Sequence, residues 1–473
     1  MMTEEQAKSL LLKQENVYTR DPQLREPAFA YCEGYKAFLN AAKTEREAVE
    51  WAVREAEANG FVPYDPAVSC KPGARVYRVN RGKSVMLAVI GTDAPEAGFS
   101  IVVSHIDSPR LDLKQRPLYE TAGISYFKTH YYGGIKKYQW TTIPLAIHGV
   151  IVKKGGERIT VSIGENENEP VLYISDLPKH LSAEQAKKPM GDGINGENLN
   201  LVAASLTAEE EQAGLSLQQK LLALLNERYG IDEADLLSAE LEIVPAGKAR
   251  DAGLDGSLIA AYGHDDRSCV YAGLQAILHT DTPEHTAGLL LLDKEEVGNQ
   301  GATGMKSHLL ENLTARLLRL LNEDEPLARE EALEHSQMLS ADVVLAMDPN
   351  YSHCFALGNT AHLGHGPAIV KYAGHFGKKD ANDANAEFLA LLRDVFDEAG
   401  IRWQTGEYGI MDLGGGGTMA PLPAQYGMET ADCGIPLLSM HAPYELASKA
   451  DVYEASRAYA AFLASDKDIE QYQ

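Results

Sequence analysis

The chain has 473 residues, enough for two or three domains and a large core. With 45% hydrophobic and 23% charged residues it has the composition of a soluble globular protein. Its formal net charge of −25 argues against a polyanion-binding surface, so nucleic acid is not an expected partner. The opening segment, Met1-Met2-Thr3-Glu4-Glu5-Gln6, lacks the basic and apolar regions of a signal peptide. There is no run of ~18 or more apolar residues, so no membrane span is expected. Cys32, Cys70, Cys269, Cys354 and Cys433 are widely spaced and form no Cys-x-x-Cys pair. That pattern fits a reducing cytoplasm and leaves imidazole and carboxylate as the expected donors to any metal.

In chain order, Thr44-Glu45-Arg46-Glu47 predicts a capping box that opens a helix carrying Trp51 and Val53, closed by Asn59-Gly60. Apolar strands are expected over residues 85–91 and 99–104, separated by a Gly/Pro/Asp turn. From about residue 116 to 249 the texture changes. An aromatic, glycine-containing stretch (126–140) is followed by short β-like runs at 145–152 and 158–163. An amide-rich passage (187–200) and an amphipathic helix near 215–228 complete the segment. A second alternation starts near Ser257, with a helix after Asp266 and strands at 289–292 and 343–347. Alternating β and α elements imply an α/β sheet covered by helices on both faces, interrupted by an inserted unit.

Polar clusters lie at the borders of the apolar runs. Ser104-His105-Ile106-Asp107-Ser108-Pro109 follows one strand, and sites in open α/β sheets gather at strand carboxyl ends. A histidine there suits a metal, and an acid two residues on suits its second ring nitrogen; alone, a structural histidine explains the motif as well. Gly263-His264-Asp265-Asp266-Arg267-Ser268 fits either a helix cap or a carboxylate bridging two cations. Asp293-Lys294-Glu295-Glu296-Val297-Gly298 leaves Leu289-Leu290-Leu291-Leu292, and solvated charge at a strand end would explain a lone glutamate pair. Asp342 and Asp348 flank a fourth apolar run, and Met440-His441 follows a fifth. Together, two histidines and three carboxylates, one of them shared, make a co-catalytic dinuclear site. Such a site polarises a carbonyl and lowers the pKa of a bridging water, with a sixth acid as general base. Zinc is the default for these donors, and cobalt or manganese would also suit them.

These motifs resemble the aspartyl aminopeptidase/aminopeptidase I family of dinuclear metallo-aminopeptidases. The matching residues are Ser-His-x-Asp-Ser-Pro at 104–109, Asp-Asp-Arg at 265–267 and Glu-Glu-Val-Gly at 295–298. Ser-Ala-Asp at 340–342, Pro-Asn-Tyr at 349–351 and Met-His at 440–441 complete the set, which spans nearly the whole chain. The resemblance implies that His105 and His441 each bind one of two divalent metal ions. Asp265 would bridge them, and Glu296 and Asp342 would complete the coordination. Glu295 would be the base and Asp107 would orient His105. Asp342 is preferred to Asp348 because the family ligand lies in Ser-Ala-Asp. The implied fold is a zinc-exopeptidase-like three-layer α/β/α catalytic domain (1–115 plus 250–473) with an inserted β-rich dimerisation domain (116–249). The implied assembly is a homo-oligomer, a tetrahedral dodecamer built from dimers. His180 of the inserted domain would reach a neighbouring subunit's active site and help stabilise the oxyanion.

The expected function is a cytoplasmic hydrolase, an exopeptidase that removes single residues from peptides with a free N-terminus. A deacylase or carboxypeptidase on a related fold, or a catalytically silent assembly protein, are the alternatives. Gly414-Gly415-Gly416-Gly417-Thr418 lacks the Gly-Lys-[Ser/Thr] ending of a phosphate loop, so nucleotide binding is not expected. Asp-Asp-Arg stands where aspartyl members carry Asp-Asn, which weakens an expectation of acidic specificity. Lys371 fits either an acidic-substrate contact or a strand-end surface lysine.

Overall fold

A computed structural model describes residues 2, 10–12, 14–205, 214–323, 325–374 and 377–472. The opening segment read for a leader, residues 1–6, lies outside them except for Met2. Among the described residues, no helix is long and apolar enough to cross a membrane.

The helix Glu45–Ala58 starts as its sequence dictates. Thr44 accepts the Glu47 N–H, and the Glu47 side chain accepts the Thr44 N–H in return. Behind it, nine described strands form the main sheet. Its centre is parallel, in the order Thr286–Leu292, Phe99–His105, Gln337–Ser340, Glu429–Gly434. Leu289–Leu292 is a four-residue apolar run because a central strand is covered on both faces. Successive side chains divide between two cores. Leu289 and Leu291 join Val102 on the face packed by Arg25–Ala41, His264–His279 and Lys449–Leu463. Leu290 and Leu292 join Ile101 and Val103 on the face covered by Leu309–Leu321 and Ala328–Glu334. Each fully buried leucine contributes roughly 2 kcal/mol. The result is a three-layer α/β/α arrangement.

The strand expected over 343–347 is present as the short Val344–Leu345, but the chain on either side of Asp342 is divided between two sheets. Gln337–Ser340 belongs to the main sheet, whereas Val344–Leu345 pairs with Pro436–Leu438 in a five-stranded sheet. The chain changes sheet between them. Its neighbour does the same, passing from Glu429–Gly434 to Pro436–Leu438, so the two segments stay paired across the switch. Asp342 sits at that switch point.

A seven-stranded antiparallel sheet holds Arg110–Thr121, Ile124–Tyr132, Pro144–Val152, Arg158–Ile163, Leu172–Tyr173, Leu201–Ala204 and Ala239–Pro245. Ala239–Pro245 pairs with both Arg110–Thr121 and Pro144–Val152, which closes the sheet into a barrel-like ring around Trp140, Leu145, Ile147 and Ile243. The texture change read at residue 116 falls inside the strand Arg110–Thr121. The helix expected near 215–228 is Leu217–Tyr229.

A polar network joins this ring to the main unit. Arg110 pairs with Glu45 and Glu242, and Lys83 pairs with Glu45. His148, buried in the ring, donates to Glu47 at 2.8 Å and to Glu165 at 3.2 Å. Burial alone would lower its imidazole, but Glu165 and Glu47 carry it up to about 9. The unfolded ring titrates near ~6.5, so this stabilisation is complete below that pH and is lost as pH rises through about 9. His148→Gln is expected to cost about 2 kcal/mol in mildly acidic buffer. The gap in melting temperature between wild type and variant should then narrow as pH rises through the raised value. A gap that stays constant over that window contradicts a charged His148.

Candidate metal centre

The parallel strands bring the polar clusters to one edge. Leu292 is in register with His105, and Ser340 with Val103, so residues 105–107, 293–296 and 341–342 emerge side by side. The five-stranded sheet supplies the rest. Leu258–Ala261 pairs with Glu445–Ser448, Ala261 opposite Glu445, which sets Gly263–Asp265 against the 441–445 loop.

At the centre lies the Asp265 carboxylate, with Oδ1 3.0 Å from His105 Nε2 and Oδ2 3.1 Å from His441 Nε2. Asp342 Oδ1 is 3.6 Å from His105 Nε2, and Glu296 Oε1 is 3.6 Å from His441 Nε2. The structure therefore brings together His105, Asp265, Glu296, Asp342 and His441. Asp348 is elsewhere. It caps the turn Pro349–Cys354, its side chain accepting the Asn350 N–H at 2.9 Å. His180 is exposed on the turn Lys179–Leu181 of the ring and is not part of this cluster. Lys371 is also exposed.

Each imidazole is aimed by a carbonyl. His105 Nδ1 donates to the Asp107 carbonyl at 3.0 Å, with Asp107 Oδ1 at 3.4 Å, and His441 Nδ1 donates to the Gly134 carbonyl at 2.8 Å. Both Nε2 atoms thereby face the acids, and would give their lone pairs to a cation bound there. The Asp107 carboxylate accepts the N–H groups of Glu295 and Glu296 at 3.2 Å each, and the Tyr132 hydroxyl at 2.8 Å. Glu295 and Glu296 occupy the tight turn Glu295–Val297, entered through Lys294 at φ 77.

Electrostatics follow from this crowding. Burial raises the Asp265 carboxyl, but His105 and His441 outweigh it and hold the group below the carboxylate range. Burial alone would lower His441, yet Asp265 and Glu296 carry it up to about 11. Burial pushes the Glu295 carboxyl up to about 8, opposed by His105 and reinforced by Asp342, Asp107 and Asp265. Glu296 and Asp342 are raised by burial as well.

The residues fit a metal. Asp265 Oδ1 and Glu296 Oε1 are buried without a hydrogen-bond donor. Donor atoms of His105, Asp265 and Glu296 lie within 4.8 Å of one another, as do those of His105, Asp266 and Asp342. Asp266 enters the second group by proximity, but its carboxylate accepts the His105 N–H at 3.3 Å. Asp265 alone stands between the two rings, which makes it the better shared ligand. The donor set is nitrogen and oxygen, the combination expected for zinc and similar cations.

Sequence reading missed the supporting residues. Glu445 is buried, one oxygen accepting the Asp265 N–H at 3.1 Å and the other the His441 N–H at 2.7 Å. Arg267, 1% exposed, donates to Ser108 Oγ and to the Lys43 carbonyl, and Ser108 donates to the Asp265 carbonyl. It therefore braces the loop from below. The places of Ser108 and Arg267 in the motifs at 104–109 and 265–267, and of Glu445 four residues after His441, were the hints of such a role.

A three-layer α/β/α fold with a histidine and carboxylate cluster at the carboxyl edge of its parallel strands is that of the α/β zinc exopeptidases. Residues 38–463 match the family model for aminopeptidase I zinc metalloprotease (M18), and the chain belongs to that family. It is 46% identical over 460 residues to a probable M18 family aminopeptidase 1 of Clostridium acetobutylicum, covering 96% of this chain and 99% of the relative. The crystal structure of an M18 aminopeptidase from Thermotoga maritima superposes with a TM-score of 0.90 at 41% identity, covering 96% and 99% of the two chains. More distantly, a structure of the S. cerevisiae mApe1 dodecamer shares the fold at 20% identity, with a TM-score of 0.72 over 91% and 95% of the chains. The protein is thus a metallo-aminopeptidase of the M18 zinc family.

Gly263 makes the tight entry to Asp265 possible. It has φ 77, and a Cβ added there would lie 2.0 Å from Arg267 Nη1. Gly263→Ala is expected to destabilise the protein by roughly 1–3 kcal/mol, seen as a lower melting temperature. A variant that melts with wild type contradicts the brace.

Proposed function

We propose that this chain is a two-cation aminopeptidase that releases single residues from peptides with a free N-terminus. The observation that carries the reading is the Asp265 carboxylate set between His105 Nε2 at 3.0 Å and His441 Nε2 at 3.1 Å. In this reading His105 and Asp342 hold one cation, His441 and Glu296 the other, and Asp265 serves both. Zinc is the preferred ion, with cobalt or manganese as substitutes. Bound there, the cations would supply Lewis acidity toward the scissile carbonyl and lower the pKa of the attacking water.

Glu295 is assigned as the general base, taking the proton from that water and passing it to the leaving amine. Its position supports the assignment: Glu295 directly precedes the ligand Glu296 in the turn Glu295–Val297, at the edge that carries His105 and Asp342. Asp107 keeps base and ligand in place, because one carboxylate accepts both of their N–H groups and faces the His105 ring.

The barrel-like ring is proposed as the dimerisation unit of a larger homo-oligomer, a tetrahedral dodecamer assembled from dimers. The mApe1 dodecamer of the same fold supports a homo-oligomer of that size. Exposed on that ring, His180 is free to reach a neighbouring subunit's site, where it would help stabilise the oxyanion. A cytoplasmic location is part of the proposal, and the five free cysteines fit a reducing compartment.

Glu295→Gln is expected to retain both metals and to lose about 10²–10⁴-fold in turnover. His441→Ala is expected to lose metal. Turnover that survives in the Gln variant removes Glu295 from the role of base. A panel of aminoacyl-anilides, N-acyl amino acids and C-terminal dipeptides tests the reaction class: only free-amine substrates should be cleaved, and cleavage confined to N-blocked ones contradicts the proposal.

A further inference from the structure

The inserted ring does more than sit beside the main unit; one of its strands ends against the metal centre. Ile124–Tyr132 pairs antiparallel with Arg110–Thr121, Tyr132 opposite Arg110, and so ends beside the loop that follows His105. Tyr132 is fixed there by the Arg110 guanidinium, 3.9 Å from its ring centroid. Its hydroxyl donates to Asp107 Oδ2 at 2.8 Å, completing the carboxylate that faces His105 and accepts the Glu295 and Glu296 N–H groups. Gly133 follows at φ 72. A Cβ added to it would lie 3.0 Å from Glu296 Oε2 and 3.3 Å from Glu296 Cβ, so the backbone itself forms a wall against that side chain. Gly134 then presents its carbonyl to His441 Nδ1 at 2.8 Å. Three consecutive residues thus touch the supports of both imidazoles and one carboxylate.

We propose that Tyr132, Gly133 and Gly134 are positioning residues of the metal centre, through which the inserted ring sets the aim of His105, Glu296 and His441. The proposal rests on the two-cation reading above. Outer hydrogen bonds of this kind fix the tautomer and direction of a ligating ring, and their loss commonly costs 10–100-fold in metal affinity. The same contacts make the ring inseparable from the centre: a shift of the ring against the main sheet moves the ligands of both cations.

Tyr132→Phe removes the hydroxyl and keeps the aromatic face for Arg110. Gly134→Ala places a methyl 3.2 Å from His441 Nδ1 without touching Asp107. Zinc affinity by chelator competition, the visible spectrum of the cobalt-substituted protein and the melting temperature would be measured on the full chain. Each variant is expected to bind zinc about 10–100-fold more weakly and to shift the cobalt bands, while melting close to wild type. Variants whose zinc affinity and cobalt spectrum equal wild type overturn the proposal. A wild type that takes up neither metal overturns the two-cation reading itself, which separates the two failures.

Discussion

The rest of the structure answers to one constraint, the crowding of carboxylates at a single buried edge. Asp265 and Asp342 are buried and Glu295 and Glu296 partly so, all facing one small volume, with His105 and His441 as the protein's counter-charges. Two like charges about 4 Å apart repel by roughly 4 kcal/mol near a protein surface, before desolvation is added. The cost appears in the groups themselves, since burial raises Glu295, Glu296 and Asp342 together. Acids held so close need positive charge between them, and divalent cations supply it most directly.

Holding the acids against that repulsion is the task of the surrounding hydrogen bonds. Asp107 ties the ring of one histidine to the backbone of the glutamate pair. Glu445 ties the backbone of Asp265 to that of His441. Arg267, through Ser108, braces the carbonyl side of Asp265. Asp107 acts among the loops of the main sheet and Glu445 among those of the five-stranded sheet, while the Asp265 carboxylate between His105 and His441 spans the two, so the site is assembled by the junction of the sheets rather than by any one loop. The change of sheet between Ser340 and Val344 belongs to the same design, because it places Asp342 where the chain leaves the main sheet, facing His105.

Much of this was legible in the sequence, for local reasons. The capping box at Thr44, the strands around 99–105 and 286–292 and the change of texture past residue 116 are marked by nearest neighbours and by periodicity. The candidate ligands stood out because charge bordering an apolar run is costly unless it has a use. What the sequence hid was contact between distant segments. Asp342 and Asp348 flank the same apolar run, and only the sheet switch separates a residue facing His105 from one capping a turn. The roles of Glu445, Arg267 and Gly134 depend on partners 180, 224 and 307 residues away in the chain, and that of Tyr132 on one 25 residues away, distances that no local pattern records.

The central claim is that Asp265 is shared by two cations. It is tested most directly by the metal-to-chain ratio of the purified protein after zinc loading and removal of free ion, beside that of Asp265→Ala. The account predicts two zinc ions per chain in wild type and loss of both in the variant, with its secondary structure unchanged. A variant that keeps two ions, or a wild type that holds none, contradicts it.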